Sequence, residues 1–132
     1  MDDLKRVHVA VGVIRNAEAL TCVSLRPQHV HMGGLWEFPG GKVEAGESVF
    51  AALARELNEE LSLRIAASEP LMQVSFQYPD KAVLLDVHLV TGFSGEAVGN
   101  EGQQVRWVDK KTLASLTFPQ ANAAIVERVL RL

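Results

Sequence analysis

Residues 40–63 form the most informative stretch of the chain, with the sequence GGKVEAGESVFAALARELNEELSL. On a helix with about 100° per residue, residues 48–61 place four apolar side chains on one narrow stripe. The stripe consists of Phe50, Leu53, Leu57 and Leu61. Ser48 stands just before it and is a residue type that caps helix N-termini. The stretch therefore predicts a helix over 48–61 that packs its leucine side into a core.

A different face of this helix is acidic, because Glu56, Glu59 and Glu60 lie together within about 100°. Glutamates four residues apart destabilise a helix by about 0.2–0.5 kcal/mol, and the helix dipole disfavours acids near the C-terminus. A bound Mg²⁺ or Mn²⁺ would reverse this penalty, since carboxylate oxygens are hard ligands. A solvated acidic face is the alternative interpretation. The preceding Pro-Gly-Gly turn, which lets backbone approach a ligand closely, and Glu47 at the helix entrance favour the ligand interpretation.

The composition is that of a globular protein, with 132 residues, 48% apolar and 22% charged. We expect a single domain over residues 1–132. The formal net charge of −3 excludes the electrostatic pattern of a protein that binds duplex nucleic acid or an anionic membrane. We therefore expect no direct binding to nucleic acid or to a membrane, and a small polyanionic ligand is possible if cations accompany it. We also expect a monomer. The lone Cys22 and the lack of a targeting segment predict a cytoplasmic location.

The rest of the chain predicts a strand-rich pattern with a central and a terminal helix. Strands are predicted at 8–15, 20–25, 71–77, 82–93 and 104–108, with 20–25 as the antiparallel return of 8–15. Further helices are predicted at 110–116 and 122–132. Loops are predicted at 26–34 and 94–102, and a short extended piece at 36–38. This order indicates a mixed sheet between helices.

The spacing of residues 41–63 resembles the Nudix box. That pattern is Gly, five residues, Glu, seven residues, Arg-Glu-apolar-any-Glu-Glu, one further residue, Gly and an apolar residue. The matching positions here are Gly41, Glu47, Arg55, Glu56, Leu57, Glu59, Glu60 and Leu63. Ser62 stands where the pattern has its second Gly, at a cost of up to about 1 kcal/mol if the helix ends on a left-handed residue. The resemblance implies an α/β/α sandwich with a mixed β-sheet that hydrolyses a nucleoside diphosphate linked to another group.

The resemblance also implies roles for single residues. The implied ligands of the divalent cation are the carboxylates of Glu56, Glu59 and Glu60 and the backbone carbonyl of Gly40. Arg55 is implied to orient Glu47, and Glu56 to activate the attacking water. Glu101, in a glycine-flanked loop, is either a further ligand or a plain loop acid. Mg²⁺, or Mn²⁺ in its place, would offset the charge that builds up on the phosphate oxygens.

Outside the box the chain resembles the 8-oxo-dGTP diphosphatases of the MutT type. The resemblance rests on Val11–Asn16, His31-Met32, Glu37–Lys42, Glu101–Gln103 and Phe118–Asn122. It implies hydrolysis of 8-oxo-dGTP to 8-oxo-dGMP and pyrophosphate by attack at the β-phosphorus, which removes a mutagenic precursor. Two alternatives stay open. One is a Nudix enzyme for CTP or dCTP, ADP-ribose or a dinucleoside polyphosphate, and the other is a non-catalytic nucleotide sensor.

Asn122 is the expected determinant of base choice, because its amide offers both a donor and an acceptor to a guanine edge. Its alternative role is to cap the last helix. The other implied substrate-binding residues are Arg26, His31, Glu37, Phe38, Pro39 and Gly40. Phe38 would otherwise pack in the core, and Arg26 and His31 would otherwise be solvated loop residues.

Overall fold

The computed structural model describes residues 5–29 and 33–132. Its elements in chain order are strands β1 (Lys5–Ile14), β2 (Thr21–Leu25), β3 (Trp36–Glu37) and β4 (Gly40–Lys42), helix α1 (Val49–Leu61), strands β5 (Arg64–Gln77), β6 (Lys81–Ser94) and β7 (Val105–Val108), helix α2 (Lys110–Ser115), a 3-10 turn (Gln120–Asn122) and helix α3 (Ala123–Leu130). Among the described residues, no helix has the length and apolar content needed to cross a bilayer.

The central sheet has four strands in the order β4-β1-β6-β5. Strands β1 and β6 run parallel, whereas β4 pairs antiparallel with β1 and β5 pairs antiparallel with β6. A second sheet of order β3-β2-β7 is antiparallel throughout. The predicted α/β class with a mixed sheet is thereby confirmed.

Helices cover both faces of the central sheet. Successive side chains of β1 point to opposite faces, so they contact different helices. Val11 and Val13 belong to a hydrophobic cluster that includes Ile125 and Val129 of α3. The alternate residues of β1 belong to a second cluster with the leucines of α1. That cluster contains Ala10, Ile14, Leu53, Leu57 and Leu61. The sheet therefore lies between α1 and α3, as the expected α/β/α sandwich requires.

Two strand predictions were wrong in their details. Strand β2 meets β1 at an isolated bridge between Arg15 and Thr21, and its ladder partners are β3 and β7. Strand β5 begins at Arg64 rather than Leu71, because irregularities in its pairing with β6 obscure the alternation of apolar residues. It can also contain Pro70, since β5 is an edge strand of the sheet.

Helix α1 has nearly the predicted bounds. The Ser48 hydroxyl accepts a hydrogen bond from the Ala51 N–H at 3.0 Å, which confirms the predicted N-cap. The three leucines of the stripe are fully buried. Phe50, the first residue of the stripe, is 36% exposed. Helical periodicity gives the direction of this side chain but not whether a neighbouring layer extends to the first turn.

The end of α1 keeps the geometry of a glycine cap without glycine. Ser62 is left-handed, with φ 60° and ψ 26°. Its N–H donates to the Asn58 carbonyl at 3.1 Å, and the Leu63 N–H donates to the Leu57 carbonyl at 3.3 Å. These bonds satisfy carbonyls that a helix end otherwise leaves unpaired.

Candidate active site

Arg55 holds the acidic side chains at the entrance of the site. Its Nε and Nη2 donate to the two carboxylate oxygens of Glu47 at 2.8 and 3.0 Å, which makes a bidentate pair. Its Nη1 donates to Glu56 Oε1 at 2.8 Å and lies 3.7 Å from Glu59 Oε2. Nη2 also donates to the Lys42 carbonyl at 3.0 Å. One guanidinium therefore ties the start of α1, its acidic face and β4 together.

The ion pair keeps Glu47 charged. Hydrogen bonds from the Arg55 guanidinium and the Glu44 N–H lower the pKa of Glu47 to about 2. The hydrogen bonds from Arg55 to Glu47 and Glu56 raise the pKa of Arg55. Both carboxylate oxygens of Glu47 are thus engaged in hydrogen bonds.

Glu60 has the opposite surroundings. Burial raises the pKa of Glu60 to about 8, and the nearby carboxylates of Glu56, Glu37 and Glu101 act in the same direction. A hydrogen bond from the Gly40 N–H opposes this shift. Without a cation, Glu60 is thus largely protonated at neutral pH, beside an excess of negative charge. Perturbed carboxyl groups of this kind are typical of functional sites.

Glycines allow β4 to pass close to this acidic cluster. A Cβ placed on Gly41 would lie 2.2 Å from Cδ of Glu56, and one placed on Gly40 would lie 2.0 Å from the Ala10 carbonyl oxygen. A side chain at Gly40 would therefore collide with the backbone of β1, and one at Gly41 would displace the Glu56 carboxylate. The Gly40 backbone consequently lies next to the carboxyl group of Glu60.

A cleft of about 310 Å³ opens beside Glu60, a volume at the lower end of the range for small-molecule sites. Side chains of β1 and β6 form its apolar wall. That wall includes Val7, Val9, Val11, Val83 and Leu85. The predicted substrate-binding residues that line the cleft are Arg26, Glu37, Phe38, Gly40 and Asn122. The structure therefore brings most of the predicted substrate site into one cavity with Glu60.

Asn122 occupies the N-cap position of α3, but its side chain makes no capping hydrogen bond. The residue is half-buried and lines the cleft together with Pro119 and Ala121. Its expected alternative role as a helix cap is therefore not realised. The amide lies instead where it can meet the polar edge of a bound molecule.

The other predicted substrate residues differ in their surroundings. Phe38 is buried and stacks on Phe118 with ring centroids 5.1 Å apart, so it belongs to the core and also lines the cleft. Arg26 Nη1 donates to Glu37 Oε2 at 2.7 Å, which makes it a paired charge and not a free surface one. Pro39 lies between β3 and β4 with a fully buried side chain, and its carbonyl accepts a hydrogen bond from the Gly12 N–H of β1 at 2.8 Å. His31 lies outside the described residues.

The expected cation ligands are near one another but do not converge. Glu59 has a side chain that is 60% exposed and turned toward Arg55, and Glu101 is exposed on its loop. Within residues 5–29 and 33–132, no three acidic, histidine or cysteine side chains are close enough together to hold a metal ion. The donors nonetheless fit a divalent cation, because all are oxygen atoms, the set that Mg²⁺ prefers. The charge excess around Glu60 is what such an ion would relieve.

Several lining residues were not anticipated from the sequence. Lys42, Tyr78 and Lys81 also face the cleft, with Lys81 Nζ 5.5 Å from the centroid of the Tyr78 ring. Lys42 directly follows the two glycines of β4, which was a usable signal. Tyr78 lies in the turn between β5 and β6 and Lys81 begins β6, so their place in the site depends on how β6 pairs with β1.

Comparison with known proteins gives a consistent result. A family model described as the NUDIX domain matches residues 10–128. The 8-oxo-dGTP diphosphatase of Haemophilus influenzae is 38% identical over 128 residues, which cover 97% of this chain and 94% of that protein. The CTP pyrophosphohydrolase of Escherichia coli is 31% identical over 122 residues, 92% of this chain and 88% of that protein.

The fold agrees with the sequence matches. A solved structure from work on MutT of Aliivibrio salmonicida and Vibrio cholerae superposes with a TM-score of 0.85 at 41% identity, covering 96% of this chain and 98% of that one. Its similarity therefore extends over nearly all of both chains. From the family match, these relatives and the acidic site on α1, we conclude that the chain belongs to the Nudix family and is a hydrolase of phosphoric anhydrides.

Proposed function

We propose that the chain is a Mg²⁺-dependent nucleoside triphosphate pyrophosphohydrolase that converts 8-oxo-dGTP into 8-oxo-dGMP and pyrophosphate. The observation that carries the proposal is that Asn122 and Glu60 line the same cleft, and that the Asn122 side chain makes no capping hydrogen bond to α3. Similarity to an 8-oxo-dGTP diphosphatase over 97% of the chain supports it. Such an activity removes an oxidised precursor from the nucleotide pool before it causes mutation.

The base is recognised by Asn122 in this proposal. Its amide can donate to the O6 atom of a guanine ring and accept from the N1–H group. Phe38 and Pro119 offer apolar surface beside the ring, and Arg26, held by Glu37, contributes a fixed charge at the cleft. Cytosine presents the reverse order of groups, an N4–H₂ donor beside the N3 acceptor, so an amide oriented for guanine does not match it.

Nudix hydrolases generally use divalent metal ions. We assign Mg²⁺ here, with Mn²⁺ as a substitute, to Glu56, Glu59, Glu60, the Gly40 carbonyl and Glu101. When bound, the cation supplies electrostatic stabilisation to the phosphate oxygens during attack by water. Coordination requires the carboxylate form, so Glu60 must lose its proton as the ion binds.

The chain's own residues position the water that attacks the β-phosphorus. Arg55 holds one oxygen of Glu56, and Gly41 leaves space beside the carboxylate. We therefore assign Glu56 as the group that orients the water and accepts its proton. Glu101 is the alternative for this role, and comparison of the two glutamine variants decides between them.

The formal charge of −3 argues against direct binding to nucleic acid or to a membrane, and a small nucleotide can bind where a divalent cation accompanies it. We propose that residues 1–132 act as a single domain and as a monomer in the cytoplasm.

The test is a side-by-side assay of 8-oxo-dGTP, dGTP and CTP in Mg²⁺, with chromatography of the products. We expect 8-oxo-dGTP to have the highest kcat/KM and pyrophosphate to be released. Asn122→Ala should lower the preference for 8-oxo-dGTP over CTP by about 10–100-fold, because it removes hydrogen bonds that an amide oriented for guanine cannot make with cytosine. Its thermal stability should stay close to wild type, since the side chain does not cap α3.

A pyrimidine nucleotide is the second candidate substrate, favoured by the similarity to the CTP pyrophosphohydrolase of Escherichia coli. The acidic cluster on α1 would serve the phosphates of either substrate. The two substrates differ in the nucleobase that would lie beside Asn122. Hydrolysis of CTP well above 8-oxo-dGTP, unaffected by Asn122→Ala, would select this candidate and reject the first.

A further inference from the structure

The loop after β6 is fastened to the C-terminal end of α1 by the side chain of Asn100. The Nδ2 atom donates to the Glu59 carbonyl at 3.0 Å and to the Ser62 hydroxyl at 2.9 Å. The Asn100 N–H donates to the Glu60 carbonyl at 3.0 Å. Three groups at the end of one helix are thus satisfied by a single loop residue.

A second amide fastens the same loop three residues later. Gln103 Nε2 donates to the Glu60 carbonyl at 3.2 Å, and its Oε1 accepts from the Glu101 N–H at 2.8 Å. Between the two amides, the Gly102 N–H donates to the Gly99 carbonyl at 3.0 Å and closes a tight turn. Gly102 has a φ of +79°, a conformation that favours glycine. We call Asn100 and Gln103 the amide clamp.

The clamp links the backbones of two residues whose side chains matter for the site. Gln103 accepts from the Glu101 N–H and donates to the Glu60 carbonyl, so one side chain joins the Glu101 turn to the last turn of α1. Water could satisfy the exposed carbonyls of a helix end equally well. What the clamp adds is a fixed position for the Glu101 turn relative to α1.

Ser62 extends this connection. A serine in the left-handed conformation is strained relative to glycine. Its hydroxyl, however, gives the Asn100 amide a second acceptor that glycine cannot provide. The departure from the Nudix pattern at this position therefore coincides with an added contact between helix and loop.

We propose that Asn100 and Gln103 are positioning residues that hold the Glu101 carboxylate beside Glu60, so that both can reach one divalent cation. The inference rests on the proposed function, which assigns both carboxylates to the cation. Neither amide contacts the substrate or the ion, and both act through the backbone of the residues that they hold.

The test is Mn²⁺ binding to the full chain without nucleotide, followed by electron paramagnetic resonance of the free ion. Gln103→Met removes the hydrogen bonds of Gln103 and keeps its length. We expect Gln103→Met and Glu101→Gln each to weaken Mn²⁺ binding by about tenfold. The double variant should bind no more weakly than Glu101→Gln alone, because both changes remove the same ligand. Wild-type affinity in Gln103→Met, or losses that multiply in the double variant, would overturn the proposal.

Two controls separate positioning from loss of structure. Gln104→Met is the same change at the neighbouring exposed glutamine and should leave Mn²⁺ affinity unchanged. Asn100→Ala removes the other half of the clamp and must weaken Mn²⁺ binding in the same way, with thermal unfolding in chelator confirming that each variant is folded. A loss of affinity in Gln104→Met equal to that in Gln103→Met would contradict the assignment.

Turnover of 8-oxo-dGTP distinguishes this inference from the proposed function. Clamp variants should need more Mg²⁺ for half-maximal rate and should keep the wild-type KM for nucleotide at saturating Mg²⁺. If Glu101→Gln binds Mn²⁺ normally while the wild type hydrolyses 8-oxo-dGTP, the clamp proposal fails and the function stands. If the single and double variants bind Mn²⁺ as expected but the wild type does not hydrolyse 8-oxo-dGTP, the substrate assignment fails and the clamp proposal stands.

Discussion

Glu56 and Glu60 lie four positions apart on α1 in opposite environments. Glu56 is paired with Arg55 at 2.8 Å, and Glu60 is buried beside other carboxylates and has a raised pKa. Carboxyl groups in such different surroundings can take different roles in catalysis. In the proposed mechanism, the ion pair orients Glu56 to accept a proton from the attacking water. Glu60 becomes ionised when a cation replaces its proton.

Glu56→Gln should lower kcat for 8-oxo-dGTP by about 10²–10⁴-fold, because an amide cannot accept the proton of the attacking water. The fold should be kept, since glutamine has the same shape and can still accept the hydrogen bond from Arg55. Initial rates at saturating nucleotide and Mg²⁺, with circular dichroism of the variant, measure both effects. Unchanged turnover would show that the water is activated elsewhere, and a loss confined to Glu101→Gln would assign it to Glu101.

The raised pKa of Glu60 predicts a pH dependence of stability. Burial beside other carboxylates raises this pKa from 4.5 to about 8, so the metal-free folded state binds a proton that the unfolded state has released. This contribution to stability is fully present below about pH 4.5 and is lost as the pH rises toward about 8. Thermal unfolding in chelator should show the loss in the wild type and not in Glu60→Gln, and saturating Mg²⁺ should reduce it. If the unfolding temperature of both proteins fell equally with rising pH in the absence of Mg²⁺, the assignment would be contradicted.

At the scale of elements, α1 was largely predictable because its determinants are local. The spacing of its leucines and the identity of Ser48 depend on neighbours within a few turns. Strand β5 was not predictable in full, because pairing irregularities with β6 break the alternation that identifies strands. The partners of β2 were also inaccessible, since sheet order depends on contacts between distant segments.

The left-handed cap of α1 predicts a coupled effect on stability. Ser62→Gly relieves strain of about 1 kcal/mol but also removes the hydrogen bond from Asn100, worth about 0.5–1.5 kcal/mol. The net change in the free energy of unfolding should therefore be small in the wild type. In the Asn100→Ala background the same change should stabilise the protein by about 1 kcal/mol. Urea denaturation of the four proteins measures this coupling, and destabilisation by Ser62→Gly in both backgrounds would exclude it.

At the scale of the whole molecule, the site depends on where the sheet brings separate segments together. The residues of the Nudix pattern could be named from the sequence, because their spacing along one helix and one turn is fixed. The apolar wall of the cleft could not, since Val9 and Val83 become neighbours of the site through the parallel pairing of β1 with β6. Asn122 was named, but the sequence left both of its roles open until the structure showed that it caps nothing.

We propose that the oxygens of α1 and β4 hold a divalent cation against the phosphates of a nucleotide whose base meets Asn122. Anomalous diffraction from crystals that contain Mn²⁺ and a non-hydrolysable analogue of 8-oxo-dGTP would locate both the cation and the base. We expect anomalous peaks within coordination distance of Glu56, Glu60 and the Gly40 carbonyl, with the base beside Asn122. Saturating Mn²⁺ and analogue without anomalous density at those oxygens, or with the base bound away from Asn122, would contradict it.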